Sequence, residues 1–195
     1  MELTDNDLML AVLDGDLEAF GVLFDRHHQR LWEFFYRLSC DSASSEDLVQ
    51  EVFLRMFKYR NSFGSTSEFR GWMYPIARTA RIDRFRSERK RVPPPEDGGQ
   101  IWLHSHWPAP DRLLEQEERS TMLQRALLEL PQDKRELLVL ARYQEMKYEQ
   151  IALLLDVEIG TVKVRVHRAL AELREVFRRL SGEIPKCDVK TSGKT

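Results

Sequence analysis

Residues 148–174 read YEQIALLLDVEIGTVKVRVHRALAELR, and this stretch decides the fold. Ile151, Ala152 and Leu155 give a first short helix one apolar face. Asp156-Val157-Glu158 breaks that pattern, and Asp enters the left-handed turn conformation that most residues avoid. A second helix then carries Val162, Val166, Ala169, Leu170, Leu173 and Phe177 at intervals of three and four, a stripe that faces a core. At about 100° per residue, Thr161, Val164, Arg168 and Ala171 fall opposite that stripe. His167 lies beside them, with Lys163 and Arg165 on the flanks. Between Gly160 and Leu170 there are three formal positive charges and no acidic residue. Two helices, a tight turn and a basic outer face of small residues are the pattern of a helix-turn-helix, whose second helix enters the major groove of DNA.

Outward from this stretch, the chain is all-α. The spacing predicts a short helix from Leu3 to Leu13 capped by Thr4 or Asp5, and a longer one from Asp16 to Leu38. A Ser- and Asp-rich turn, Cys40 to Ser45, precedes a helix from Glu46 to Arg60 that buries Val49, Val52, Phe53 and Met56. Leu48, Gln50, Glu51 and Leu54 do not all fit on that stripe, so acidic and apolar surface is left for a partner. Asn61–Ser67 is a loop by composition. A helix from Glu68 to Lys90 follows, with a kink or late start expected at Pro75. Near Arg112 a new helical unit begins. Pro131 ends its first helix and suits the first position of the next, which reaches about Arg142.

Residues 92–111, VPPPEDGGQIWLHSHWPAPD, hold five of the eight prolines and a Gly-Gly pair. This composition predicts an extended linker, in which Trp102 and Trp107 are unusual and either dock within the protein, the duller reading, or wait for a partner. The expected organisation is therefore a first domain at 1–91, a linker at 92–111, a second domain at 112–182 and a frayed tail at 183–195.

Charge is balanced overall but not locally. The net charge is −2, with 42% hydrophobic and 32% charged residues, which suits a folded helical protein and argues against indiscriminate coating of nucleic acid. Residues 14–68 hold ten acidic and six basic side chains, whereas 70–91 hold eight basic and two acidic. The basic helix is dense enough for phosphate contacts on more than one side. Cys40 and Cys187 are far apart and predict free thiols in a reducing compartment. The acidic N-terminus and the lack of a long apolar run predict a cytoplasmic protein with no membrane insertion. No catalytic, metal or cofactor site is expected. His27 and His28 are adjacent on a helix and point apart, and His104 and His106 have no ligand at metal spacing. No Gly-rich phosphate loop or GxSxG turn is present.

Four segments in order carry a resemblance: AFGVLFDRHHQRLWEFFYRL, EDLVQEVFLRMF, FRGWMYPIARTARIDRFRSERKR, and LLELPQDKRELLVLARYQEMKYEQIALLLDVEIGTVKVRVHRALAELR. The chain resembles the extracytoplasmic-function (ECF) sigma factors, which join a sigma-2 to a sigma-4 domain. That resemblance implies core RNA polymerase binding through Asp47, Gln50, Glu51, Phe53 and Leu54. It implies −10 element binding and melting through Asn61, Ser62, Phe63, Trp72, Arg78, Arg81, Asp83, Arg84 and Arg86, since flat side chains stack unpaired bases and arginines pair with phosphates. It implies −35 duplex reading through Thr161, Lys163, Val164, Arg165, His167 and Arg168, and it suggests an anti-sigma factor as a partner. The chain departs from the family at Thr79, where Asn is usual, and at Val164, where Ser is common and an apolar group can meet a thymine methyl. It also departs at Asp156, at Glu158 and at Pro75. The alternative is a dimeric helix-turn-helix regulator with an N-terminal sensing or oligomerisation domain.

Overall fold

A computed structural model describes residues 3–64, 67–91 and 114–182. Among these, regular structure is entirely helical, in two domains. The first contains α1 (Asp5–Leu13), α2 (Leu17–Ser39), α3 (Ser42–Lys58) and α4 (Phe69–Arg91). The second contains α5 (Leu114–Glu129), α6 (Gln132–Leu138), α7 (Tyr148–Leu155) and α8 (Ile159–Ser181). The linker tryptophans and histidines, and the tail, lie outside the described residues.

Local chemistry sets the helix ends. Thr4 caps α1 by accepting from Asp7 N, while Asp7 accepts in return from Thr4 N. Gly15 takes φ +99°, a value that only glycine adopts without strain, and lets Asp16 cap α2 from the backbone of Glu18 and Ala19. The connection from α2 to α3 is shorter than the sequence suggests. Cys40 closes α2 in the left-handed conformation at φ 58°, and Asp41 caps α3 at Ser44 N, so α3 begins at Ser42. Ser45 is buried and donates to Asp41 O at 2.5 Å.

The expected late start of α4 does not occur: the helix runs from Phe69 straight through Pro75. Burial of Met73, Tyr74, Ala77 and Ala80 holds the residues around the proline in helical register. Each such burial is worth roughly 1–3 kcal/mol and together they outweigh the lost backbone bond. Asn6 of α1 supports the start of α4 by accepting from Phe69 N at 2.8 Å. Pro131 sits one residue earlier than expected, before α6 rather than as its first residue, and Arg135 N donates to its carbonyl. Beyond α6 the helix loosens into a π-turn over Val139–Tyr143, and Glu145 then takes φ 50°.

Each domain has an apolar centre. Leu23, Leu31, Phe34, Phe35, Met56, Phe69 and Met73 fill the first, and Leu127, Leu130, Leu138, Val139, Leu140, Ile151 and Val162 the second. The domains also lie against each other, α5 and the π-turn on α2, α7 on α4. The buried apolar residues of the two domains form one continuous cluster, and polar contacts also cross the seam. Gln124 Nε2 donates to Tyr36 O and Arg37 O, each at 3.3 Å, and Arg135 Nη1 donates to Leu38 O. Gln144 is fully buried between the domains. It accepts from Tyr74 Oη at 2.6 Å, donates to Arg30 O at 3.2 Å, and offers its carbonyl to Arg70. Gln150 donates to Glu68 across the same seam, and the Arg37 guanidinium lies 3.7 Å from the Tyr143 ring centre.

Candidate nucleic-acid interface

Helices α7 and α8 form the predicted helix-turn-helix. Ile151, Ala152, Val162, Val166 and Ala169 are buried, and Asp156 takes the left-handed conformation at φ 52°. Val157 N donates to Ala152 O at 3.0 Å and Asp156 N to Leu153 O at 3.4 Å, the paired closure that ends a helix in a sharp turn. Glu158 precedes α8 in extended conformation but makes no side-chain cap. The outer face is open to solvent. Lys163, Val164, Arg165, His167 and Arg168 are exposed, Thr161 is half-buried, and none of the three cations makes an ion pair with a described residue. One helix thus presents positive charge, an imidazole and a 49%-exposed Val164 side by side.

The basic helix α4 is arranged differently. Arg78 Nε and Arg81 Nη2 reach the two oxygens of Glu136 on α6, at 3.1 and 3.0 Å. The Arg81 side chain is only 15% exposed, and burial holds its pKa below the usual arginine value although Glu136 pulls the other way. Asp83 accepts from Arg55 at 2.7 Å, and Arg84 pairs with Asp47 at 3.1 Å, so two residues assigned to DNA tie α4 to α3. Arg86 is exposed. Thr79, where Asn is usual, turns its hydroxyl back to Pro75 O at 2.9 Å.

At the loop before α4, Asn61 and Ser62 are exposed but Phe63 is buried. Its ring meets Trp72 edge-on at 5.4 Å, and Trp72 Nε1 donates to Ser62 Oγ at 3.0 Å. Phe63 therefore packs the loop onto α4 and offers no free face to a base in this conformation.

On α3, Asp47, Gln50 and the 66%-exposed Leu54 face solvent and Glu51 is half-buried. Phe53 points inward, 4.8 Å from Phe24 and 5.8 Å from Phe20 between ring centres, so it supports the helix and does not present a surface. Leu48 is buried as well. A groove of about 660 Å³ runs between α3 and α4, lined by Leu54, Lys58, Tyr59, Pro75, Ile76, Thr79 and Asp83. Lys58 and Tyr59 were not among the sequence candidates. The signal available was an aromatic next to a lysine at the end of a helix whose apolar stripe was already complete.

Beneath α4, His27 is buried against Phe69 and donates from Nε2 to Asp5 at 2.7 Å, with Nδ1 lacking a partner. Desolvation holds its pKa below the ordinary value in spite of Asp5, which favours the neutral ring. Among the described residues no cluster of His, Cys, Asp or Glu could hold a metal ion, and no helix is long and apolar enough to cross a membrane.

Comparison with known proteins gives this geometry its context. Residues 23–91 match the sigma-70 region 2 family and residues 120–173 the sigma-70 region 4 family, which together define a two-domain sigma factor. SigW of Bacillus subtilis, an ECF RNA polymerase sigma factor, is 29% identical over 92% of this chain and 100% of its own length. SigE of Mycolicibacterium smegmatis is 30% identical over 94% of this chain and 73% of its own, and the sigma-E factor of Escherichia coli K12 is 30% identical over 86% and 91%. The chain belongs to the ECF sigma factors of RNA polymerase. Its fold is shared with CnrH, solved with the cytosolic domain of CnrY, at a TM-score of 0.67 and 22% identity over 92% of this chain and 99% of that one. RpoE of Bartonella quintana, solved with the anti-sigma factor NepR, gives 0.62 and 23% over 82% and 96%. Matches to both domains leave the dimeric-regulator alternative without support.

Proposed function

We propose that this ECF sigma factor divides its work as the two domains suggest. Residues 1–91 bind core polymerase and the −10 element, 112–182 read the −35 duplex, and 92–111 connect them. Core polymerase docks on α3 around Asp47, Gln50, Glu51 and Leu54. The groove beside Tyr59 and Lys58 has the shape and chemistry to take an unstacked base, with a flat ring for stacking and a cation for the adjacent phosphate. Asn61, Ser62, Trp72 and Arg86 flank the melted strand, and Arg78 and Arg81 join them once freed from Glu136. Lys163, Arg165 and Arg168 grip phosphates and base edges of the duplex, with Thr161, Val164 and His167 between them. The protein acts in the cytoplasm with polymerase, performs no catalysis of its own, and is masked by an anti-sigma partner.

The outer face of α8 carries this reading: Lys163, Arg165 and Arg168, with no ion pair among the described residues, on the second helix of a helix-turn-helix, all open to solvent. Transcription reconstituted with core enzyme on a randomised promoter library tests it. Transcripts should come from templates sharing two separated sequence blocks. Absence of any transcript dependent on the protein would overturn the reading.

A further inference from the structure

The seam between the domains holds an acid where an acid is hard to keep. Glu136 is the one carboxylate buried among the described residues, its side chain 7% exposed. A buried carboxylate is stable only when charge and hydrogen bonds replace the water it loses. Both of its hydrogen-bond partners, Arg78 and Arg81, belong to the other domain. One turn earlier on α6, Gln132 adds its amide oxygen to Arg81 Nη1 at 2.7 Å when the amide is oriented to present it. The second domain therefore offers Arg81 a cluster of oxygens carrying one negative charge, the kind of acceptor set a phosphodiester presents to a guanidinium.

We propose that Glu136 is an internal stand-in for a DNA phosphate, and that the closed packing of the two domains is a self-inhibited state in which Arg78 and Arg81 are withheld from the promoter. The proposal rests on the reading that these arginines bind DNA. The latch is built to open. Arg81 Nε is buried without a hydrogen-bond partner, so separation of the domains returns it to water. The neighbouring seam contacts of Gln124, Gln144 and Arg135 are largely to backbone carbonyls, groups that water also satisfies. Meanwhile the outer face of α8 stays exposed, so closure blocks one DNA contact and leaves the other available.

The test compares the full chain with its Glu136→Gln variant, which keeps the side-chain shape and removes the charge. Small-angle X-ray scattering reads domain separation, and fluorescence anisotropy with labelled oligothymidylate reads binding to single-stranded DNA. The expected result is a larger radius of gyration together with about tenfold tighter oligothymidylate binding, a factor that corresponds to a modest population shift. Glu149→Gln, the same charge change at an exposed site on α7, should reproduce neither. Unchanged scattering overturns the latch, whatever the affinity does. Expansion with unchanged affinity overturns the phosphate stand-in. If circular dichroism shows Glu136→Gln unfolded, Gln124→Leu loosens the same seam without touching the arginines, with about a threefold gain expected; no change in either readout then overturns the proposal. Arg81→Gln in reconstituted transcription examines the underlying reading separately. Full activity there would remove Arg81 from DNA binding while leaving the closed packing intact.

Discussion

Two helices of this sigma factor carry arginines at similar density, and the structure treats them in opposite ways. On the outer face of the first half of α8, Lys163, Arg165 and Arg168 stand in solvent with no ion pair to a described residue, and only towards its end do Arg178 and Arg179 pair, with Glu175 and Glu129. On α4 they are engaged: Arg78 and Arg81 by Glu136, and Arg84 by Asp47, with Asp83 taken up by Arg55. The difference shows that a basic stretch of sequence does not by itself define an accessible DNA surface. What decides is whether acids distant in the chain are folded onto it.

Substitutions should separate the two helices by stability. Arg81→Ala strands Glu136 in the seam, a loss of about 3 kcal/mol for a buried pair deprived of one member, limited by how readily the domains part. Arg168→Ala on α8 should alter stability by less than about 0.5 kcal/mol. Urea denaturation of both variants measures the contrast, and equal losses would erase it. Duplex binding should show the reverse: Arg168→Ala weakens −35 fragment affinity by about 1–3 kcal/mol and flattens its salt dependence, while Arg81→Ala leaves duplex affinity nearly unchanged. Gel-shift titrations at several salt concentrations read both quantities.

Smaller effects sharpen the same contrast. Tyr74→Phe removes the donor to buried Gln144 Oε1 and should cost about 1–2 kcal/mol, seen as a lower melting temperature. The anchoring of α4 should also depend on pH through His27. Its folded pKa lies below the unfolded value of about 6.5, so the unfolded chain takes up a proton first as pH falls. Stability is then full above about pH 6.5 and declines as pH drops through the folded pKa. Melting temperatures between about pH 7.5 and pH 5.5 should fall, and His27→Gln should shrink that fall. On α8 the expected change is a gain: Glu158→Asp supplies the missing cap at unchanged charge and should add about 0.5–1 kcal/mol.

The helices were legible because their apolar residues recur at threes and fours, and the turn at Asp156 because few residues tolerate its geometry. The start of α3 was misread because Asp41 caps it ahead of the serines that also suited that role. The π-turn at Val139–Tyr143 and the left-handed Glu145 leave no trace in composition. For the sites, the outer face of α8 followed from one helical wheel, since it depends on local spacing alone. The fate of α4 did not. Glu136, Gln144 and Gln124 look like ordinary polar positions on helices, and their partners lie 55 to 114 residues away. Phe53 and Phe63 bore the apolar character expected of contact residues, but packing turned both inward.

The central claim is that promoter engagement requires polymerase to hold the two domains in an arrangement the isolated chain does not adopt. Measuring the dissociation constant for one promoter fragment, first with the isolated chain and then with the chain bound to core enzyme, tests this most directly. Binding should be weak and strongly salt-sensitive alone and far tighter with core; equal affinities in the two states would contradict the account.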